Sequence, residues 1–171
     1  MLRPQEIYIS KTMRQLFRRK AFKVTLNHDF LAVIQHCALI ERNGQGGSWI
    51  TEDFVKAYYD LHLKGWAHSV EVWQDGKLAG GLYGVALGTV FSGESMFSTI
   101  SNASKFGFIA FAQWLATRNF TLIDCQSETA HLSSLGAYNI PRTEFMEHII
   151  NNVSSIPLFS SGEAEKLLVF S

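Results

Sequence analysis

Apolar positions recur along this chain with two alternating periods, and the changes of period mark out its elements. Residues 6–10 and 22–26 alternate as short strands do, and residues 11–20 between them read as a helix with a basic face. Residues 29–39 carry a helical pattern with Asn27 or His28 near its start, and the Gly-rich residues 43–48 read as a loop. Thr51 is a good helix cap. Glu52 and Asp53 follow in the first turn, Phe54, Tyr58 and Leu61 supply an apolar stripe, and Gly65 stops the helix. Two apolar runs, 68–73 and 77–87, flank Gln74-Asp75-Gly76, and Asp-Gly between such runs predicts a hairpin. Gly88 turns the chain into a third antiparallel strand over 89–97. Ser101 or Asn102 caps a buried helix that runs to Thr117. A strand over 121–126, short helices over 129–135 and 143–152, and a last strand over 166–170 complete the pattern. No repeats or low-complexity stretches interrupt it.

Two polar inserts break the apolar runs. The first is Gly93-Glu94-Ser95-Met96-Phe97-Ser98, followed by Asn102-Ala103-Ser104-Lys105; the second is Asp124-Cys125-Gln126. A carboxylate inside a strand is costly to bury unless something pairs with it. Residues two apart on a strand share a face, so Glu94, Met96 and Ser98 are expected on one face and Asp124 and Gln126 on another. Read from the residues alone, Asp124 is either part of a site or a strand-end cap for the next turn. Glu94 is either a partner for a cationic group or a buried acid paired with His68 or Lys105. Leu82, Phe91 and Met96 line either an apolar pocket or the core, and Asn102 and Ser104 serve equally as helix caps. The helix start at Asn102 with Lys105 also suits a single phosphate or ribose. No glycine stands between residues 99 and 106, so a backbone cradle for a pyrophosphate is not expected there.

Composition narrows the class. With 171 residues, 47% hydrophobic and 18% charged, the chain is expected to form a single domain over residues 1–171 with a real core. The net charge is zero, but Arg3, Lys11, Arg14, Arg18, Arg19, Lys20 and Lys23 are opposed only by Glu6 in the first 23 residues. That cluster fits either an RNA backbone or a solvated helix face. The two cysteines, Cys37 and Cys125, lie far apart, and no His or Cys stand at metal-ligand spacing. A reduced, cytoplasmic protein without structural zinc is expected. No apolar signal core follows the N-terminal charges. The longest apolar stretch, 106–115, falls short of the ~20 residues that span a bilayer. Trp49, between the Gly-rich loop and the Thr51 cap, either stacks on a nucleobase or staples the helix.

The runs from Ala67 to Trp73, Gly80 to Val85, Gly93 to Ser98, Asn102 to Lys105, Ile123 to Gln126 and His131 to Ala137 resemble, in order and spacing, the leucyl/phenylalanyl-tRNA–protein transferase family. The match runs from about residue 44 to residue 142. The family's small N-terminal domain finds no counterpart, and the segment after residue 147 matches nothing in the resemblance.

The order of elements, with Ser133-Ser134-Leu135-Gly136-Ala137-Tyr138, is similar to the GNAT-like acyltransferase fold: α+β, with a mixed, mainly antiparallel sheet flanked by helices. The resemblance implies transfer of Leu, Phe or Met from an aminoacyl-tRNA to a protein N-terminus that begins with Arg or Lys, tagging that protein for N-end rule degradation. It implies Gln126 as the group that takes a hydrogen bond from the attacking amine, with Asp124 behind it and Glu94 beside the acceptor. Leu82, Phe91 and Met96 would hold the amino-acid side chain, and the family's pocket has Met where Leu82 stands. With such a donor, the residues' own charge and position suggest that Ser98, Asn102 and Lys105 would meet it, Trp49 its terminal adenine, and Arg14, Arg18, Arg19, Lys20 and Lys23 the RNA backbone. No cofactor, coenzyme A, metal or membrane is expected, and the protein is expected to act as a monomer. The alternatives are a GNAT-like enzyme with another activated donor and a non-catalytic RNA- or peptide-binding module.

Overall fold

A computed structural model of the chain describes residues 1–39, 50–150 and 165–167, the last three by their backbone alone. After a 3-10 turn at Pro4–Glu6, the elements are α1 (Lys11–Arg18), β1 (Lys23–Leu26), α2 (Phe30–Ala38), α3 (Glu52–Leu63), β2 (Ala67–Gln74), β3 (Lys77–Leu87), β4 (Val90–Ser98), α4 (Ala103–Thr117), β5 (Leu122–Asp124), α5 (Ala130–Ser133), α6 (Arg142–Ile150) and β6 (Glu165–Leu167). The strands form one sheet in the order β5-β4-β3-β2-β1-β6. Every pair is antiparallel except β4 with β5, so the fold is α+β with a mixed, mainly antiparallel sheet, as the sequence pattern predicted.

The alternation of side chains divides the sheet into two faces. Val70, Val72, Leu82, Ala86 and Phe91 point toward α1 and α4, where Phe17 stacks on Phe106 at 4.0 Å between centroids. Ala67, Tyr83 and Phe97 point toward α2 and α3, against Phe30, Val33, Ile34 and Cys37. Helix α4 lies close on the sheet because residue 107 is glycine: a Cβ there would stand 2.4 Å from Val72 Cγ2.

Local chemistry accounts for the boundaries. Thr51 accepts the Phe54 N–H and starts α3, and Asp29 accepts the Ala32 N–H and starts α2. Asp75 and Gly76 both take positive φ, 51° and 75°, which a two-residue hairpin needs to match strand twist. Asn102 stands before α4 in the left-handed region, φ 69°, and its side chain makes no cap bond. Ser98 supplies that cap from a distance, its Oγ accepting the Ser104 N–H at 3.3 Å.

Some boundaries differ from expectation. Residues 6–10 form no strand. Instead Leu2 bridges Ile123 on the outer edge of β5, and Tyr8 N–H donates to the Leu135 carbonyl. Strand β5 ends at Asp124, two residues short, because Gln126 takes φ 60°. The expected final strand at 166–170 is Glu165–Leu167, and the Gly-rich loop at 43–48 lies outside the described residues.

Candidate active site at the divergence of two strands

Strands β4 and β5 run parallel only from Val90↔Leu122 to Ser92↔Asp124. Beyond that pair β4 bulges. Tyr83 pairs with Ser95 and Gly84 with Gly93, so Glu94 is the extra residue, with no partner on β3. A bulge re-aims side chains. Met96 packs on the α4 side and Ser98 caps α4, while Glu94 faces the Tyr58 hydroxyl of α3. The expectation that Glu94 shares a face with Met96 and Ser98 therefore fails at the bulge.

Opposite Glu94, Asp124 Oδ1 accepts the backbone N–H of Gln126 at 2.8 Å, fixing the tight turn that ends β5. Asp124 and Gln126 do not share a strand face. The Gln126 side chain crosses the gap, and its Nε2 donates to Glu94 Oε2 at 2.9 Å. An ionised carboxylate only accepts, so this contact sets the amide with its oxygen free. The resemblance implies Asp124 behind the Gln126 amide; the carboxylate on that amide is Glu94, and Asp124 holds the backbone.

Next to this pair is a cavity of about 420 Å³. Leu82, Phe91, Met96, Phe108 and Leu132 give it an apolar wall, and Glu94, Asp124 and Gln126 a polar rim. Gly84 makes room for Phe91: a Cβ at residue 84 would lie 2.6 Å from Phe91 Cζ and 2.1 Å from the Ser92 carbonyl oxygen. Glu94 and Asp124 are half-buried and Gln126 is exposed, so the rim is open to solvent and negatively charged. Burial, then the charge and hydrogen bond of Glu94, pushes the Tyr58 phenol up to about 12, so it remains a donor at neutral pH. Burial first, and Asp124 after it, pushes the Cys125 thiol up to about 11, which keeps it out of nucleophilic chemistry.

Ser98, Asn102 and Lys105 gather in a neighbouring cleft of about 320 Å³ at the start of α4. His131 lines both cavities. Lys105 Nζ donates to Ser134 Oγ at 3.1 Å. Neither His68 nor Lys105 is bonded to Glu94. His68 is buried elsewhere, between Asn27 Nδ2 and the Gly65 carbonyl. Arg14 and Arg18 lie on the exposed face of α1, opposite the buried Met13 and Phe17, and Arg19, Lys20 and Lys23 continue the exposed run. Trp49 lies outside the described residues. Among the described residues no group of three or more His, Cys, Asp or Glu is placed to hold a metal ion.

The sequence reading missed two residues. Tyr58 was assigned to an apolar stripe, and nothing in helical periodicity tells a core tyrosine from one whose hydroxyl reaches a carboxylate. Glu71 was visible as a carboxylate between Val70 and Val72. It is fully buried and accepts from Thr25 Oγ1 (2.6 Å), Ser69 Oγ (2.5 Å), and the N–H groups of His28 and Asp29. Burial holds its pKa above the usual carboxylate range against those four donors.

The sequence profile of the leucyl/phenylalanyl-tRNA protein transferase family matches residues 1–150. A leucyl/phenylalanyl-tRNA–protein transferase of Flavobacterium johnsoniae is 55% identical over 141 residues, covering 82% of this chain and 66% of the relative. That of Azotobacter vinelandii is 50% identical over 153 residues, covering 90% and 67%. That of Syntrophus aciditrophicus is 56% identical over 145 residues, covering 85% and 61%. The chain thus spans about two thirds of the length of these relatives. A match of this extent and identity, over a chain whose two polar inserts meet at one cavity, places it in the leucyl/phenylalanyl-tRNA–protein transferase family.

Proposed function

We propose that the chain transfers Leu, Phe or Met from an aminoacyl-tRNA to the N-terminal amine of a protein beginning with Arg or Lys, and so tags that protein for degradation by the N-end rule. The observation that carries the reading is the Glu94–Gln126 hydrogen bond beside the apolar cavity. The cavity takes the donor's apolar side chain, and Met96 adapts to more than one shape. The acceptor's cationic end meets the negative rim. Gln126 Oε1 accepts a hydrogen bond from the amine, and Glu94 on Nε2 makes that oxygen a better acceptor. The amine nitrogen forms its bond to the ester carbonyl carbon, the bond to the ribose oxygen breaks, and that oxygen takes the proton the amine loses. Positioning supplies most of the acceleration, since both reactants are held in one cleft.

Two further features support this donor over coenzyme A. No glycine stands between residues 99 and 106, and the first-turn amide of Ser104 is already bonded to Ser98. The exposed row of α1 suits an RNA backbone. The protein would work in the cytoplasm as a monomer, where charged tRNA is available. The test is a transfer assay with Phe-tRNA and an Arg-initiated peptide, with an acetyl-CoA arm beside it. Phenylalanine should appear on the peptide N-terminus, and Glu94→Gln and Gln126→Ala should each slow single turnover about tenfold or more. Acetyl transfer without phenylalanyl transfer would overturn the reading.

A further inference from the structure

A second cleft, of about 470 Å³, lies at the other end of the sheet, between the α1–β1 connection and the β2–β3 turn. Its lining includes Lys20, Lys23, His28, Trp73 and Asp75. Strands β4 and β1 are three places apart in the sheet, about 14 Å across at the usual spacing of neighbouring strands. None of its residues belongs to the candidate active site.

The cleft is built around one ring. Trp73 is half-buried, and its Nε1 donates inward to Thr25 Oγ1 at 2.8 Å. Thr25 in turn donates to the fully buried Glu71. The same carboxylate accepts the His28 N–H, and the His28 ring stands nearly perpendicular to Trp73 at 5.6 Å between centroids. The indole's one donor is therefore spent inward, and what it offers a ligand is a π-face held rigid from beneath. Exposed Lys20 and Lys23 stand at the rim, opposed by Asp75. Lys20 is held at φ 50°, closing the α1 end with a bond from its N–H to the Phe17 carbonyl. The rim is also continuous in sequence with Arg18 and Arg19 of the exposed basic row.

A fixed aromatic face with two ammonium groups beside it fits a planar group that carries an anion. We propose that this cleft binds one unpaired nucleotide of the tRNA, its base stacked on Trp73 and its phosphate between Lys20 and Lys23. The inference rests on the tRNA donor proposed above, and adds a base-stacking contact remote from the chemistry. Stacking on an aromatic side chain tolerates any base, so the contact grips without reading sequence.

The test measures binding of uncharged tRNA to the full chain at several salt concentrations. Trp73→Leu should weaken binding about tenfold with the salt slope unchanged, because a neutral stack has been lost. Trp73→Phe also loses the bond to Thr25 but keeps a ring, and should retain most of the affinity. Lys20→Asn, a residue that tolerates positive φ, combined with Lys23→Gln should weaken binding and lower the log–log salt slope by about 1 to 2. Photo-crosslinks from the tRNA should map to the peptide holding Trp73. Wild-type affinity in Trp73→Leu, or equal losses in the Leu and Phe variants, would overturn the stacking site while leaving the transferase reading intact. Absence of tRNA binding by the unaltered chain would overturn both. Occupation of the cleft by a polyglutamate peptide with tRNA binding undisturbed would assign it to an acidic protein and overturn the proposal.

Discussion

At the scale of single residues, the sequence showed which groups are unusual but not how they pair. Glu94, Asp124 and Gln126 stood out because carboxylates and amides do not belong in apolar strands. Their geometry was hidden, since it depends on one extra residue in β4 and one positive φ after β5. Alternation put Gln126 and Asp124 on one face and the family resemblance paired them, whereas the amide bonds Glu94. The two carboxylates should therefore respond differently to substitution. Asp124→Asn keeps an oxygen for the Gln126 N–H and should cost transfer less than threefold. Asp124→Ala leaves that N–H without its side-chain acceptor and should cost about tenfold, with tRNA affinity unchanged; single-turnover rates compare the two directly. Tyr58→Phe removes a donor from Glu94 and should slow transfer about tenfold. Because the Tyr58 phenol lies near 12, the deficit should be constant between pH 6 and 9, and a deficit that vanished within that range would assign Tyr58 to another role.

At the scale of elements, the hairpin, the meander and the two long helices were legible from turn chemistry and period, while the short strands at the sheet margins were legible in place but not in extent. Asp75-Gly76 announces its turn because it demands two positive φ values. Residues 6–10 alternate like a strand, yet they join no strand: Tyr8 bonds the Leu135 carbonyl after α5, and it is Leu2 that pairs with β5, which no local pattern encodes. The bulge likewise leaves no mark on the sequence except paired glycines, Gly84 opposite Gly93. Gly84 should therefore be intolerant of a methyl group. A Cβ there would meet the Ser92 carbonyl oxygen at 2.1 Å, a backbone atom that cannot swing aside. Gly84→Ala should cost about 1–3 kcal/mol or more in denaturant unfolding, and transfer should fall further than the fraction unfolded accounts for. His68 gives β2 a pH dependence. Burial first, with His62 nearby, pushes its pKa down to about 3. The unfolded chain, with a histidine near 6.5, binds the extra proton, so this contribution is whole above pH 6.5 and falls as pH drops toward 3. By about pH 4.5 the loss should reach ~2–3 kcal/mol. His68→Gln should flatten that limb of the stability curve, and an unchanged limb would rule His68 out as its source.

At the scale of the whole molecule, a neutral net charge conceals a division of labour. Carboxylates line the cleft at the β4–β5 end, and the exposed face of α1 is cationic. Arg14→Glu with Arg18→Glu should weaken tRNA binding and lower its salt slope by about 2 or more, with the rate at saturating tRNA little changed. An unchanged affinity at low salt would mark the row as a solvated face. The first eight residues carry a different consequence. Leu2 pairs with Ile123, Gln5 Nε2 donates to the Phe120 carbonyl, Tyr8 to Leu135, and the Tyr138 N–H to the carbonyl of Met1. These bonds stitch the start of the chain onto β5 and α5, the three-residue strand and one-turn helix that bracket Gln126. Neither element is long enough to hold itself. The position of residue 126 thus depends on a segment far from it in sequence, and a chain trimmed to begin at Lys11, which also gives up the fully buried Leu2, should be both less stable and less active. The amide of Ile123 would report that loosening first, exchanging its proton with solvent while the amides of β2 and β3 stay protected.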